Sequence, residues 1–432
     1  MTPQSHFTLV APLAAGCEAS LHELLASMNA TPGTADPHNS VLPFAAIERL
    51  HFARLVLLDD ALQVDLDVLG VPQPRLPTVL SFMGDCDGPV HEVLADMVRC
   101  AGEGLRRLFA HCDGFVADTD LLVWMQAHDQ PIAASYVNWV GRTVLQIKEE
   151  SALQRALSTT VSRATVNSAA QARALHTELR SFVNKEASAG RLVLTPPMPT
   201  PFSWRMAKIF HLLAVPLLGL LALPGLIAFS PLLVYLLRRR ETSDPVICPR
   251  PPVEALGELQ LLEDIDVSNQ YTAIGAVKPG LFRRWLVSGL LVLINYACRH
   301  VFTCGFLARV QTIHFARWVF IDDKTRVLFT SNYDGSHQGY MDDFINKVAW
   351  GLNLVFSNGV GWPRTRWLIL GGARIEQDFK RYQRRHQVPT QVWYKAYPGL
   401  SLHDITRNQR IREGLENTQM SDAQTLAWLR LL

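Results

Sequence analysis

The chain has 432 residues, 48% of them hydrophobic and 19% charged, which is enough for two core-forming domains plus an insertion and is not a disordered composition. A formal net charge of +2 excludes a broad polyanion-binding surface, so nucleic acid is not an expected partner. Seven cysteines, odd in number and without Cys-x-x-Cys spacing, exclude a disulfide framework and a zinc module and fit a reduced compartment.

Met1–Leu9 lacks the basic-then-apolar order of a secretory signal, so the body of the protein is expected on the cytoplasmic face. His6–Pro12 reads as a strand and Cys17–Met28 as a helix. The segment from Ile47 then runs Glu48-Arg49-Leu50-His51-Phe52-Ala53-Arg54 and, after four apolar residues, Asp59-Asp60. A strand over Thr78–Met83 follows a loop carrying Pro72, Pro74 and Pro77. Asp87-Gly88 and an amphipathic helix over Val90–Leu108 come next, and Ala133–Val140 reads as a closing strand. These elements make residues 1–150 a first unit, with a helical connector over 151–204.

From Ile209 to Leu237 the chain is almost wholly apolar, long enough to cross a hydrocarbon core of about 30 Å. Pro216, Pro224 and Pro231 argue against a straight rod, and Leu223-Pro224-Gly225 suits a tight turn. Arg205 and Lys208 precede the stretch and Arg238, Arg239 and Arg240 follow it, so charge bias selects no orientation. A membrane-interacting hairpin over 205–240, returning to its own side, is the expectation. A second apolar stretch, Trp285–Ala297, is too short to span and reads as an interfacial or core helix.

The late part of the chain, 265–432, repeats the early pattern. Gln270–Val277 reads as a strand and Leu281–Ala297 as a helix. Then His314-Phe315-Ala316-Arg317, four apolar residues and Asp322-Asp323 match the His51–Asp60 pattern. A hairpin over Asp322–Thr325 leads into the strand Arg326–Ser331, Asp334-Gly335, a helix over Gln338–Leu354 and a closing strand over Gln391–Ala396. The order β-α-β-β-α-β is that of a ferredoxin-like unit. Two such repeats in one chain predict an α+β fold, a pseudo-dimeric α+β barrel with the apolar hairpin inserted between its halves.

Alternation along the strand after His314 puts Arg317 among apolar neighbours, where a charge needs a partner or a polar cavity. Arg54 is its early counterpart. The hairpin register sets His314 opposite Tyr333 and gathers His314, Asn332 and Asp334 at one open end, with His51 and Asp87 meeting likewise. Two readings stand: catalytic acids and bases, or an Asp capping the following helix with a satisfied His. A buried acid such as Asp334 is one candidate partner for Arg317. The aromatics Trp362, Trp367, Trp393, Tyr394 and Tyr397 suit core packing or an apolar pocket.

Gly84-Asp85-Cys86-Asp87-Gly88 resembles the Gly-x-x-Asp-Gly motif of dye-decolourising haem peroxidases, which pair two ferredoxin-like units, although the late copy reads Ser331-Asn332-Tyr333-Asp334-Gly335. The resemblance covers about 1–150 and 265–400 in unit order. It implies His300 as axial ligand to a haem iron, with Asp87 and Arg317 acting on peroxide. Overall the chain is similar to bacterial proteins of the dimeric α-β barrel class, which carries fold rather than activity. A membrane-associated oxidoreductase acting on a lipophilic substrate is the functional expectation. A non-catalytic membrane-anchored ligand-binding or scaffold protein is the alternative, and the oligomeric state is open.

Overall fold

The computed structural model describes residues 2–59, 63–68, 77–161, 168–303, 305 and 307–432. Asp60, Pro72 and Pro74 of the early pattern, and Cys304, lie outside the described residues. Among those described, the protein is mixed α/β, with fourteen α-helices, two large sheets and a two-stranded ribbon.

The early part runs β1 (Gln4–Pro12), α1 (Glu18–Ser27), β2 (Asn29–Thr31), β3 (Gly33–Ala35), β4 (Leu50–Leu58), α2 (Gln63–Val68), β5 (Val79–Asp87), α3 (Val90–Phe109), α4 (Leu121–His128) and β6 (Ile132–Val137). The connector and insert hold α5 (Val144–Val161), α6 (Ala169–Ser188), α7 (Phe202–Ser243) and α8 (Val253–Gln260). The late part runs β7 (Ser268–Ala276), α9 (Leu281–His300), β8 (Ile313–Ile321), β9 (Arg326–Asp334), α10 (His337–Lys347) and α11 (Ala349–Phe356). It ends with β10 (Thr365–Arg366), β11 (Leu370–Gly371), α12 (Glu376–His386), β12 (Val392–Lys395), α13 (Leu402–Glu416) and α14 (Asp422–Leu429).

All nine residues of β4 are buried, and its near-continuous apolar run fits a strand covered on both faces. One face looks toward helices and the other toward the second sheet, where Val56, Leu58 and Met83 meet Ile274, Val319 and Leu328. The strand orders are β1-β5-β4-β12-β3-β2 and β6-β8-β9-β7. Each closing strand therefore sits in the other part's sheet: β6 pairs with β8, Tyr136 opposite Ala316, and β12 pairs with β4, Trp393 opposite Arg54. The edge beside β1 is already covered, because Gln130 N–H bonds Thr8 O and Thr8 N–H bonds Asp129. Val388 N–H bonds Thr272 O on β7 in the same way. That leaves β4 and β8 as the open edges.

The hairpin closes as the sequence suggests, with Ile321 opposite Arg326. Its turn places Asp322, Asp323 and Lys324 at φ of 52°, 51° and 65°, a left-handed run without glycine. At the other end a bulge corrects the expected register. Tyr333 faces Ile313 and Asn332 faces Phe315, so His314 is the extra residue; His51 is extra in the same way between Leu50 and Phe52. The helix expected over Gln338–Leu354 is split at Val348 into α10 and α11, where φ of −135° leaves the helical region.

The expected turn at Leu223-Pro224-Gly225 does not form. Residues Phe202–Ser243 make one 42-residue helix that runs through all three prolines. Each proline removes the bond to the carbonyl four residues earlier. Two of the carbonyls so freed find hydroxyls: Leu212 O, below Pro216, accepts from Tyr296 Oη at 3.4 Å, and Ile227 O, below Pro231, accepts from Ser230 Oγ at 2.8 Å. Re-satisfied carbonyls let an apolar helix continue where bare ones favour a break.

Candidate functional site

A cluster of polar and charged side chains is buried between the two sheets. Arg54 on β4 reaches into the second sheet: Nη1 bonds Tyr271 O at 2.8 Å and Thr272 Oγ1 at 2.9 Å, and Nη2 bonds Ser331 O and Asn332 Oδ1. Arg317 on β8 reaches the opposite way. Its Nη1 bonds Phe7 O at 2.6 Å and Gly84 O at 2.9 Å, and its Nη2 pairs with Asp85 Oδ1 at 2.9 Å. Each arginine thus grips two strands of the facing sheet, β7 and β9 or β1 and β5. Both are 1–2% exposed.

Asp85 closes the set. It accepts from Arg317, from His6 Nδ1 at 2.8 Å and from Asn332 Nδ2 at 2.8 Å. Burial opposes its charge, yet Arg317, His6 and Arg54 outweigh that and bring the carboxyl down to about 2. Burial lowers His6 against the pull of Asp85, so its ring is neutral and Nδ1–H donates. Position 332, where the late strand would match Asp85, is asparagine. Arg54 accordingly faces only neutral acceptors in the second sheet, and burial with the like charge of Arg317 draws it down to about 9.

The two histidine–aspartate pairs form as expected. His51 Nε2 meets Asp87 Oδ1 at 3.0 Å and His314 Nε2 meets Asp334 Oδ1 at 2.6 Å. The remaining carboxylate oxygens are also taken: Asp87 Oδ2 accepts Val144 N–H at the start of α5, and Asp334 Oδ2 accepts Leu402 N–H at the start of α13. Both aspartates hold a helix N-terminus, where backbone donors and the dipole favour a carboxylate. Asp334 is therefore not the partner of Arg317, which is Asp85. One difference separates the pairs. His51 Nδ1 accepts from Tyr397 Oη at 3.0 Å, whereas the ring beside His314 is Trp139, which has no hydroxyl, and His314 Nδ1 has no hydrogen-bond partner among the described residues.

His300 lies at the end of α9, its Nε2 2.9 Å from His211 Nδ1 on α7. Among the described residues it shares no bonding partner with Asp87 or Arg317. Arg317 is committed to backbone carbonyls and Asp85, and Asp87 to His51 and Val144. As arranged, these three do not fit a haem held by His300 with Asp87 and Arg317 above it. The glycines of Gly84–Gly88 have local reasons instead. A Cβ at Gly84 would stand 2.3 Å from Phe7 Cε1, and Gly88 has φ of +80°. Where the late strand has Ser331, the hydroxyl bonds Tyr340 Oη at 2.6 Å.

An apolar cavity of about 60 Å³ lies on the other face of the second sheet, under α9 to α12. Val287 of α9, Phe329 of β9, Met341 of α10 and Phe379 of α12 line it, with Trp362; Gln383 and His386 are among its polar members. Of the aromatics singled out in the sequence, Trp362 alone lines it. No group of three or more metal-ligating side chains occurs among the described residues. No family model matches the chain, and no curated protein or solved structure matches it.

Sequence reading overlooked Asp85 and His6. The signal was available: counting by two along β5 from buried Met83 puts Asp85 on the same face, and the register sets it opposite His6 on β1.

Proposed function

We propose that this is a membrane-associated protein in which two ferredoxin-like repeats are fused as a pseudo-dimeric α+β barrel, and that it binds a lipophilic small molecule reached from the bilayer. The observation that carries the membrane part is α7. Its apolar residues are exposed along most of its length, Leu213, Leu218, Leu221, Ile227 and Phe229 by more than 60%, far beyond the scattered apolar exposure of a soluble surface. The matched grips of Arg54 and Arg317 and the exchange of β6 and β12 support the pseudo-dimeric reading, since each feature in one part has a counterpart in the other. The ligand part rests on the position of the cavity, which at about 60 Å³ has to widen to admit a lipophile: its wall includes Val287, on the inner side of α9, while Trp285 and Leu293 on the same helix are 75% and 59% exposed. In this reading the interior Arg, Asp and His residues hold the sheets and helix starts together and perform no chemistry.

The protein purified in detergent should float with phospholipid vesicles and lose that behaviour on deletion of 205–240. Organic extraction of the purified protein should release a co-purified lipophile that Phe329→Trp, filling the cavity, excludes. Remaining in the soluble fraction without detergent defeats the membrane part, and an empty extract defeats the ligand part. Haem reconstitution supplies the rival arm: a Soret band lost in His300→Ala would favour the oxidoreductase.

A further inference from the structure

We infer that α7 lies in the plane of one membrane leaflet beside α9, with both of its ends on the side of the globular body, and does not cross the bilayer. The inference rests on the membrane association proposed above and concerns its geometry.

Both ends of the apolar stretch are tied to the same body. At the C-terminal end, buried Glu241 accepts from Trp367 N at 3.0 Å and Leu368 N at 2.8 Å, and Asp244 pairs with Arg283 at 2.7 Å and Lys278 at 3.1 Å. The chain then adds a backbone bond from Ile247 N to Gly361 O. At the N-terminal end, His211 meets His300, and Leu212 O accepts from Tyr296. Seven residues before the helix, Thr195 is bonded to Glu149 on α5 and accepts from Arg412 on α13.

The partners of the two ends sit at opposite ends of α9, Arg283 near its start and Tyr296 and His300 near its finish, so the ends of α7 run antiparallel to it, while the longer middle of α7 bows away. Yet α9 is part of the body. Val287, Leu291 and Cys298 on its inner side belong to the core packed on the second sheet. Were α7 to span about 30 Å of hydrocarbon, α9 and the sheet beneath it would have to span as well. That would drag Lys278, Arg283 and Arg284 toward a medium that strongly disfavours charged side chains. Lying flat removes the conflict: the exposed side of α9, with Leu281, Trp285, Val292 and Leu293, can meet the same leaflet as the exposed apolar residues of α7. The basic residues then serve as flanks at headgroup level, Arg205 and Lys208 at one end and Arg238 to Arg240 at the other.

The test adds full-length protein from detergent to preformed vesicles of phosphatidylcholine and phosphatidylglycerol, so that the body stays outside. Variants Arg205→Cys and Arg240→Cys are probed with a membrane-impermeant maleimide, wild type giving the baseline. Labelling of both positions on intact vesicles is expected. Labelling of one only, until the vesicles are lysed, overturns the in-plane geometry and leaves membrane association standing. No vesicle binding at all overturns both. As a second readout, Trp285→Ser should weaken vesicle partitioning by about tenfold, from the side-chain burial lost. Unchanged partitioning would remove α9 from the membrane surface and overturn the inference. Trp285 is 75% exposed, so this change leaves the fold intact.

Discussion

Replacing Arg317 with methionine keeps most of the aliphatic stem and removes the charge. The structure sets the consequence. Asp85 is 1% exposed and loses its ion-pair partner, while Phe7 O and Gly84 O lose their donor. An uncompensated buried charge of this kind costs about 3–5 kcal/mol. Arg54→Met removes a matching set of bonds, but its acceptors in the second sheet are carbonyls, Thr272 and Asn332, all neutral. The expected loss is then about 1–3 kcal/mol. Combining Arg317→Met with Asp85→Asn removes the charge together with its partner, so the double variant should be more stable than either single one. Denaturant melts of the three Arg317 and Asp85 variants and of Arg54→Met measure the order. If Arg317→Met melted with wild type, to within about 0.5 kcal/mol, the reading of this cluster as a latch between sheets would be wrong.

Glu150 on α5 is buried, and burial lifts its carboxyl to about 7 despite Arg142 at 2.5 Å. The folded state then holds a proton that the unfolded chain releases near the ordinary glutamate value, so stability should fall as pH rises from about 4.5 to 7. Glu150→Gln should flatten that slope in melts taken across the window, and an unchanged slope would place the titrating group elsewhere. Gly84→Ala should destabilise by about 1–3 kcal/mol, because the new methyl group overlaps the Phe7 ring; equal melting points would count against it. Tyr397→Phe should cost about 1–3 kcal/mol by stranding His51 Nδ1 in the core, and a cost below about 0.5 kcal/mol would mean that water replaces the hydroxyl.

The strand and helix order was legible because hydrophobic period changes sharply along this chain. β4 and β8 carry long apolar runs, α3 carries an apolar stripe, and Asp322–Thr325 is too short for anything but a turn. What period does not encode is which edge a strand joins. β6 and β12 look alike whether they close their own sheet or the other one. The choice depends on residues such as Asp129 and Gln130, which cover the edge of β1 and read as ordinary loop. The continuity of α7 was hidden for a related reason. Three prolines signal a break unless the carbonyls they free are bonded elsewhere, and the hydroxyl serving Leu212 comes from Tyr296, far along the chain.

The polar interior was half legible. Two arginines in apolar strands announce that charge is buried and partnered, and the His–Asp spacing across a hairpin announces that those residues meet. The partner is decided by strand pleat and by a bulge. In β5 and β9 the aspartates Asp87 and Asp334 lie two residues beyond Asp85 and Asn332. The bulges at His51 and His314 turn each histidine toward the farther position and leave the nearer one to the arginines. That division accounts for β9 having Asn332 where β5 has Asp85. One carboxylate between two guanidiniums leaves a single excess charge among many carbonyls and amides. A second carboxylate at 332 would stand within 2.8 Å of the first, where two like charges cannot both stay ionised. The difference between Asp85 and Asn332 therefore follows from the two sheets meeting there.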